Sequence, residues 1–144
     1  MDPYRWGVEK DLLRLYMWAF VVRDLADGGA EVEGWAQTSG GQNRYSGRLV
    51  LSPNFPYEEP KLYVTSPNPM WMHGWQKTVN SLGLSGAFRT RTNGPNGCVQ
   101  ICHTDLWDAS MTCVLVLEKL HLWLEAYEAH LRSGKEIMDY LHRN

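Results

Sequence analysis

A chain of 144 residues with 44% apolar content can bury one hydrophobic core and is short for two, which predicts a single domain over 1–144. A formal charge of -2 supplies no basic field for nucleic acid, and no stretch approaches the roughly 20 apolar residues of a membrane span, so neither partner is expected. Three cysteines, an odd number in a chain able to build its own core, argue for reduced thiols over a disulfide framework. From Asp2-Pro3 onward charge and apolar residues are mixed, without the pattern of a secretory signal, and a soluble, cytoplasmic protein is expected.

In chain order, Val8, Leu12, Leu15, Ala19, Val22 and Ala26 recur at steps of three or four, predicting an amphipathic helix from Pro3 to about Ala26. Asp2 is its expected cap, Pro3 its first residue and Gly28-Gly29 its stop. Next, "EVEGWAQ" and "YSGRLVLS" read as a strand pair joined by the turn "TSGGQN", with Tyr45, Gly47, Leu49 and Leu51 alternating inward. The prolines of "SPNFPYEEP" cannot donate to a ladder, which makes this an ordered loop before a third strand, "KLYVT".

Residues 66 to 97 are interrupted by Gly or Pro at almost every turn length and predict a long irregular region, a kind of loop that tends to carry function. Met70, Trp71, Trp75, Leu82, Leu84 and Phe88 suggest that parts of it pack down. A short strand "CVQIC" follows. "MTCVLVLEKLHLWLEAYEAHLRSG" then has the stripe Val114, Leu117, Leu120, Leu124, Tyr127 and Leu131, a helix capped by Ser110 or Thr112 and stopped by Gly134. A short amphipathic segment, "KEIMDYLHR", comes last. Strands followed by helices predict an α+β fold with an antiparallel meander of about four strands and helices on one face.

Chemistry concentrates in "TNGPNGCVQICHTDLWDASMT". A nucleophilic thiol wants partial exposure near donors, positive charge or a helix N-terminus. Cys102 at a strand end, before a helix whose free amides face roughly toward it, fits better than Cys98 in the preceding loop or Cys113 in the helix's first turn. The plain alternative is a small core residue. His103 follows directly and is a further candidate catalytic residue, although neighbours on a strand face opposite sides, which opposes a simple Cys-His pairing. Cys98, Cys102, His103 and His73 could be stretched into a metal set, but zinc sites show tighter, repeated spacing, and neither a metal nor a cofactor is expected. "NGPNG" lacks the phosphate-cradling P-loop pattern.

The order and three local words resemble the ubiquitin-conjugating enzymes, particularly their prokaryotic branch, over most of the chain to about Gly134. The words are "YSGRLVLSPNFPYEEPKLYVTSP", "VQICHTDLWDASMT" and "WLEAYEAHLRSGK". The resemblance implies the UBC fold and an aminoacyltransferase-type activity. A ubiquitin-like modifier would be received from an adenylating activating enzyme as a thioester on Cys102 and passed to an amine of a target protein or small molecule. A bacterial antiviral system is the implied setting. Cys102 takes the family position because Ile101 precedes it and Trp107 to Thr112 follow like the family's Trp turn, with a Cys-to-Trp segment shorter by about three residues; Cys98 stays a second candidate.

The family's His-Pro-Asn motif is missing. Its asparagine, an oxyanion donor, is sought in Asn96, six residues before Cys102, or Asn93, nine before, while "SPN" at Ser66 to Asn68 would require the later loop to be an insertion. Asp105 and Asp108 could favour an incoming lysine. Arg5, Lys10 and Arg14 on the first helix would meet the activating enzyme, and the family's last two helices are expected in curtailed form after Gly134. Two rivals remain, a catalytically inactive module that binds a ubiquitin-like partner and a cysteine hydrolase, which needs a histidine within reach of Cys102.

Overall fold

The computed structural model describes residues 1–41 and 43–141; Gln42 of the expected turn, and His142 and Arg143 of the expected last segment, lie outside the described residues. The first helix, α1, runs Pro3–Tyr16, with the Asp2 carboxylate accepting from the Tyr4 amide and Pro3 at its first turn. It is shorter than its apolar spacing predicts. Phe20–Asp24 forms a strand, β1, that pairs antiparallel with Ala30–Gln37, β2. The β-branched Val21-Val22 suits a strand, and pairing with a distant partner overrides the local helical period. Gly28, at φ 91, turns this hairpin instead of stopping a helix. The predicted helical stripe fails with the boundary: Leu15 is 69% exposed, and α1 buries Trp6, Glu9 and Leu13.

Strands β3 (Arg44–Leu51), β4 (Lys61–Ser66) and β5 (Val99–Ile101) complete a five-stranded antiparallel sheet in sequence order, one strand more than expected because β1 belongs to it. Pairing aligns Val22, Val32, Leu49, Leu62 and Ile101 in one row across the sheet. That row meets helix α2, Cys113–Ser133, which buries Val114, Leu117, Leu120, Leu124 and Tyr127 as its stripe predicts. Gly47 permits the approach, since a Cβ there would stand 2.6 Å from the Leu120 side chain. Thr112 caps α2 through its hydroxyl, and Gly134 ends it in the left-handed region at φ 80. The segment after it buries Ile137 and forms a short helix, α3, at Met138–Leu141. The molecule is thus α+β, with an N-terminal helix, an antiparallel sheet and C-terminal helices. Among the described residues no helix is long and apolar enough to cross a membrane.

The 66–97 region is irregular, as its glycines and prolines predict, and is pinned rather than loose. Met70, Val79 and Phe88 are buried, Trp123 donates to the Phe88 carbonyl at 2.9 Å and Tyr127 to the Trp71 carbonyl at 2.6 Å. Trp75 and Leu84 stay exposed. Its last part folds back along β5, with the Arg91 amide donating to the Gln100 carbonyl and the Cys102 amide to the Arg89 carbonyl, both at 2.9 Å. This hairpin arm decides which residues face the cysteines.

Candidate active site at Cys102

Cys102 follows β5, half-buried, with its thiol directed at the Thr104 carbonyl at 3.3 Å. The loop from here to α2 is fastened at several points. His103 lies buried with Nε2 against the Pro60 carbonyl at 2.8 Å, and the Trp107 indole donates to the Pro56 carbonyl at 2.7 Å. The proline loop is therefore the bed on which the cysteine loop rests. From the other side, Arg5 donates to the Ala109 and Met111 carbonyls at 2.6 and 2.8 Å and to Glu9 at 2.8 Å. Buried Glu9 in turn accepts the Cys113 amide at 2.8 Å, neutralising an unpaired donor at the start of α2. With Thr112 taking the Leu115 amide, two amides of that helix start are engaged, and the cleft meets α2 further along at Lys119, Leu122 and Trp123. The expectation that free helix amides face Cys102 is corrected accordingly.

Cys102 opens into a cleft of about 370 Å³ that it shares with Arg89, Asp105, Lys119 and the apolar side chains of Leu122, Met138 and Leu141. Arg89 donates to Asp105 at 2.5 Å; its side chain is 18% exposed against 84% for Asp105, so the guanidinium lies inward and the carboxylate outward. That hydrogen bond and charge hold the Asp105 carboxyl below the usual aspartate range, keeping it ionised. Asp108 is held low chiefly by the Ser110 hydroxyl and amide, which it accepts at 2.6 and 2.7 Å in its own turn. Burial pushes the His103 pKa down, and its Nδ1 is enclosed without a hydrogen-bond partner. With Nε2 facing a carbonyl that can only accept, the ring is the Nε2-H tautomer and has no proton relay to the thiol.

Cys98 and Asn96 lie elsewhere. Cys98 is 4% exposed at the other end of β5, and its pKa is raised by burial. It lines a separate pocket of about 140 Å³ with Arg48, Tyr63, Asn68 and Asn96. Asn96 takes a left-handed conformation, φ 59, at the hairpin tip, where its carbonyl accepts from the Asn68 amide group at 3.0 Å. Asn93 is exposed on the same tip. Four extended steps separate the two cysteines by about 13 Å, beyond the roughly 7 Å a disulfide allows, and both are free. Cys113 is fully buried, its thiol pushed well up by desolvation and by Glu9. His73 lies against His130 and the Leu131 carbonyl, away from the residues weighed as its co-ligands. Among the described residues no group of three or more His, Cys, Asp or Glu is placed to hold a metal ion.

On α1, Arg5 does not project freely as expected, since its guanidinium is held by Glu9 and the Ala109 and Met111 carbonyls. Lys10 stands 5.8 Å over the Trp6 ring, and Arg14 is exposed beside Asp11. A larger apolar groove of about 580 Å³ between Trp18, Trp35 and Leu122 is lined by Tyr16, Glu118 and His121 but by no cysteine, so the cysteine cleft is the better candidate for thiol chemistry. Sequence reasoning missed Arg89 and Lys119. Neither has a local signal, because only the fold-back of the hairpin and the phase of α2 bring them to Cys102. Comparison of the chain with protein-family models, curated proteins and solved structures finds no match in any of the three.

Proposed function

We propose that the chain is a ubiquitin-like-protein conjugating enzyme of a prokaryotic, UBC-like kind, which carries its modifier as a thioester on Cys102 and passes it to an amine. The observation that carries this reading is the inequality of the cysteines. Cys102 alone of the three is partly open, and it stands in a cleft with two cationic side chains on a loop fastened to the rest of the fold. A carrier cysteine needs a thiolate that can both attack and leave, and a site that supports charge on the acyl oxygen between those events. The motif words of the strand, the Trp turn and the following helix agree with this role. In it, an adenylating activating enzyme loads Cys102, the exposed Arg14 and the half-buried Lys10 of α1 face that enzyme, and the setting is antiviral defence.

Absence of Asn96 from the cleft favours a second reading, a module that binds a ubiquitin-like partner without forming the thioester. The His103 geometry supports the hydrolase reading least, because its ring is committed to Pro60. Incubation with a Gly-Gly thioester of mercaptoethanesulfonate, a mimic of a modifier's activated tail, separates the three by intact mass. The carrier reading expects an adduct on the folded protein, reversed by thiol, kept in Cys98→Ala, lost in Cys102→Ala and slow to leave in water. Rapid release to water in the absence of amine indicates the hydrolase. If the folded protein gains no adduct faster than the urea-unfolded chain, the binding-only reading takes precedence.

A further inference from the structure

We infer that Arg89, held by Asp105, is the donor for the oxyanion at Cys102, replacing a side-chain amide in this chain. The inference rests on the thioester-carrier reading and deepens it. Counting back along the sequence to an asparagine leads to the hairpin tip, and the tip belongs to the Cys98 pocket. Pairing gives a different answer. The Cys102 amide donates to the Arg89 carbonyl, so Arg89 is the residue directly across the hairpin from the nucleophile. Its backbone is left-handed, φ 52, an uncommon state for a long side chain, and Arg89 lines the cysteine cleft with its side chain largely buried. A guanidinium has five N-H donors in a rigid fork, and among the described residues Arg89 shows one side-chain bond, to Asp105. The others remain for an acyl oxygen.

In the step assigned, the amine nitrogen attacks the thioester carbonyl carbon, the C-N bond forms, and the carbonyl π pair moves to oxygen. Arg89 donates to that oxyanion. Collapse restores the C=O and breaks the C-S bond, Cys102 leaves as thiolate, and the surplus proton of the amine passes to solvent. Asp105 is a positioning residue: it fixes the fork from the solvent side, with no bond to the reacting atoms. Lys119, on the α2 wall of the same cleft, adds positive charge.

The test isolates discharge from loading. Wild type, Arg89→Ala, Arg89→Lys and Asp105→Asn are loaded to completion with the Gly-Gly mercaptoethanesulfonate thioester, freed of reagent, and mixed with free lysine, and loss of the adduct is followed by mass. Ala and Lys carry the same left-handed backbone cost, so their difference reports the charge; melting curves of both variants confirm equal folding. Loss of one oxyanion donor typically slows such a step by about 100- to 1,000-fold. The inference expects Arg89→Ala to discharge about a hundredfold slower than wild type, Arg89→Lys to recover at least tenfold of that, and Asp105→Asn to lie between Ala and wild type. Discharge of Arg89→Ala within threefold of wild type, or Arg89→Lys no faster than Arg89→Ala, overturns the inference while leaving the carrier reading intact. Failure of wild type to load on Cys102 overturns the carrier reading itself.

Discussion

The two ends of β5 hold the same kind of side chain in opposite circumstances. Cys98 is sealed beneath the hairpin tip against Tyr63, and desolvation raises its pKa. Cys102, one short strand away, is half open, with its thiol on a carbonyl and cations in its cleft. The sequence favours Cys102 by its strand-end position and leaves Cys98 a second candidate; burial and hydrogen bonding separate them. The lesson is that a cysteine's chemistry is set by what the strand's two neighbours, the hairpin arm and the Cys-to-α2 loop, place around it.

The sharpest way to break this comparison is alkylation. Limiting iodoacetamide on the folded protein, followed by peptide mapping, is expected to modify Cys102 on the order of a hundredfold faster than Cys98 or Cys113, because the buried thiols react only through local opening. Equal labelling of Cys98 and Cys102 would mean that the hairpin tip does not shield Cys98. A steric change at the tip comes next. A Cβ on Gly94 would stand 2.5 Å from the Tyr63 ring and 3.0 Å from the Cys98 sulfur, with no backbone obstacle at φ -85. Gly94→Ala should therefore lower unfolding stability by about 1–3 kcal/mol by urea titration, the range for overpacking, while leaving Cys102 alkylation unchanged. Cys98→Ser trades a buried thiol for a hydroxyl with a stronger demand for a partner, and about 1 kcal/mol of destabilisation is expected, against less than about 0.5 kcal/mol for Cys102→Ser at the open end.

How much of this was legible beforehand differs between elements for physical reasons. Strand β3 and helix α2 each bury a regular face, so their period in the sequence is the period of the core, and Thr112 and Gly134 mark the ends of α2 through backbone needs that few residues meet. The 3–26 stretch misleads because Leu15, Ala19 and Val22 continue a helical spacing past Tyr16, while the pairing of Phe20–Asp24 with residues 30–34 is non-local and leaves no local mark. At the site, Cys102 was singled out by its strand-end position and by the Trp turn. Arg89 was not. A fixed sequence distance leads to an asparagine, whereas the residue opposite Cys102 depends on where the hairpin turns, and the tip at 92–97 is long enough to move that position back to Arg89.

The smallest expected effect bears on His103, which divides the two ends of the comparison by fastening the open one. Its Nε2-H is bound to the Pro60 carbonyl and its buried Nδ1 has no hydrogen-bond partner among the described residues, so a second proton would enter an enclosed site without an acceptor there. Burial lowers the folded-state pKa below the unfolded value of about 6.5. The sign follows. Above about pH 6.5 the ring is neutral in both states and its contribution to stability is complete; as pH falls below that value the unfolded chain binds a proton that the folded chain does not, and stability declines until the folded pKa is passed. One such group contributes a slope of at most about 1.4 kcal/mol per pH unit within that window. Urea midpoints at pH 7.5 and 5.5 should differ more for wild type than for His103→Gln, whose amide can still donate to Pro60 but does not titrate. An unchanged pH difference in His103→Gln would remove His103 as its source and locate the acid sensitivity of the cysteine loop in another group.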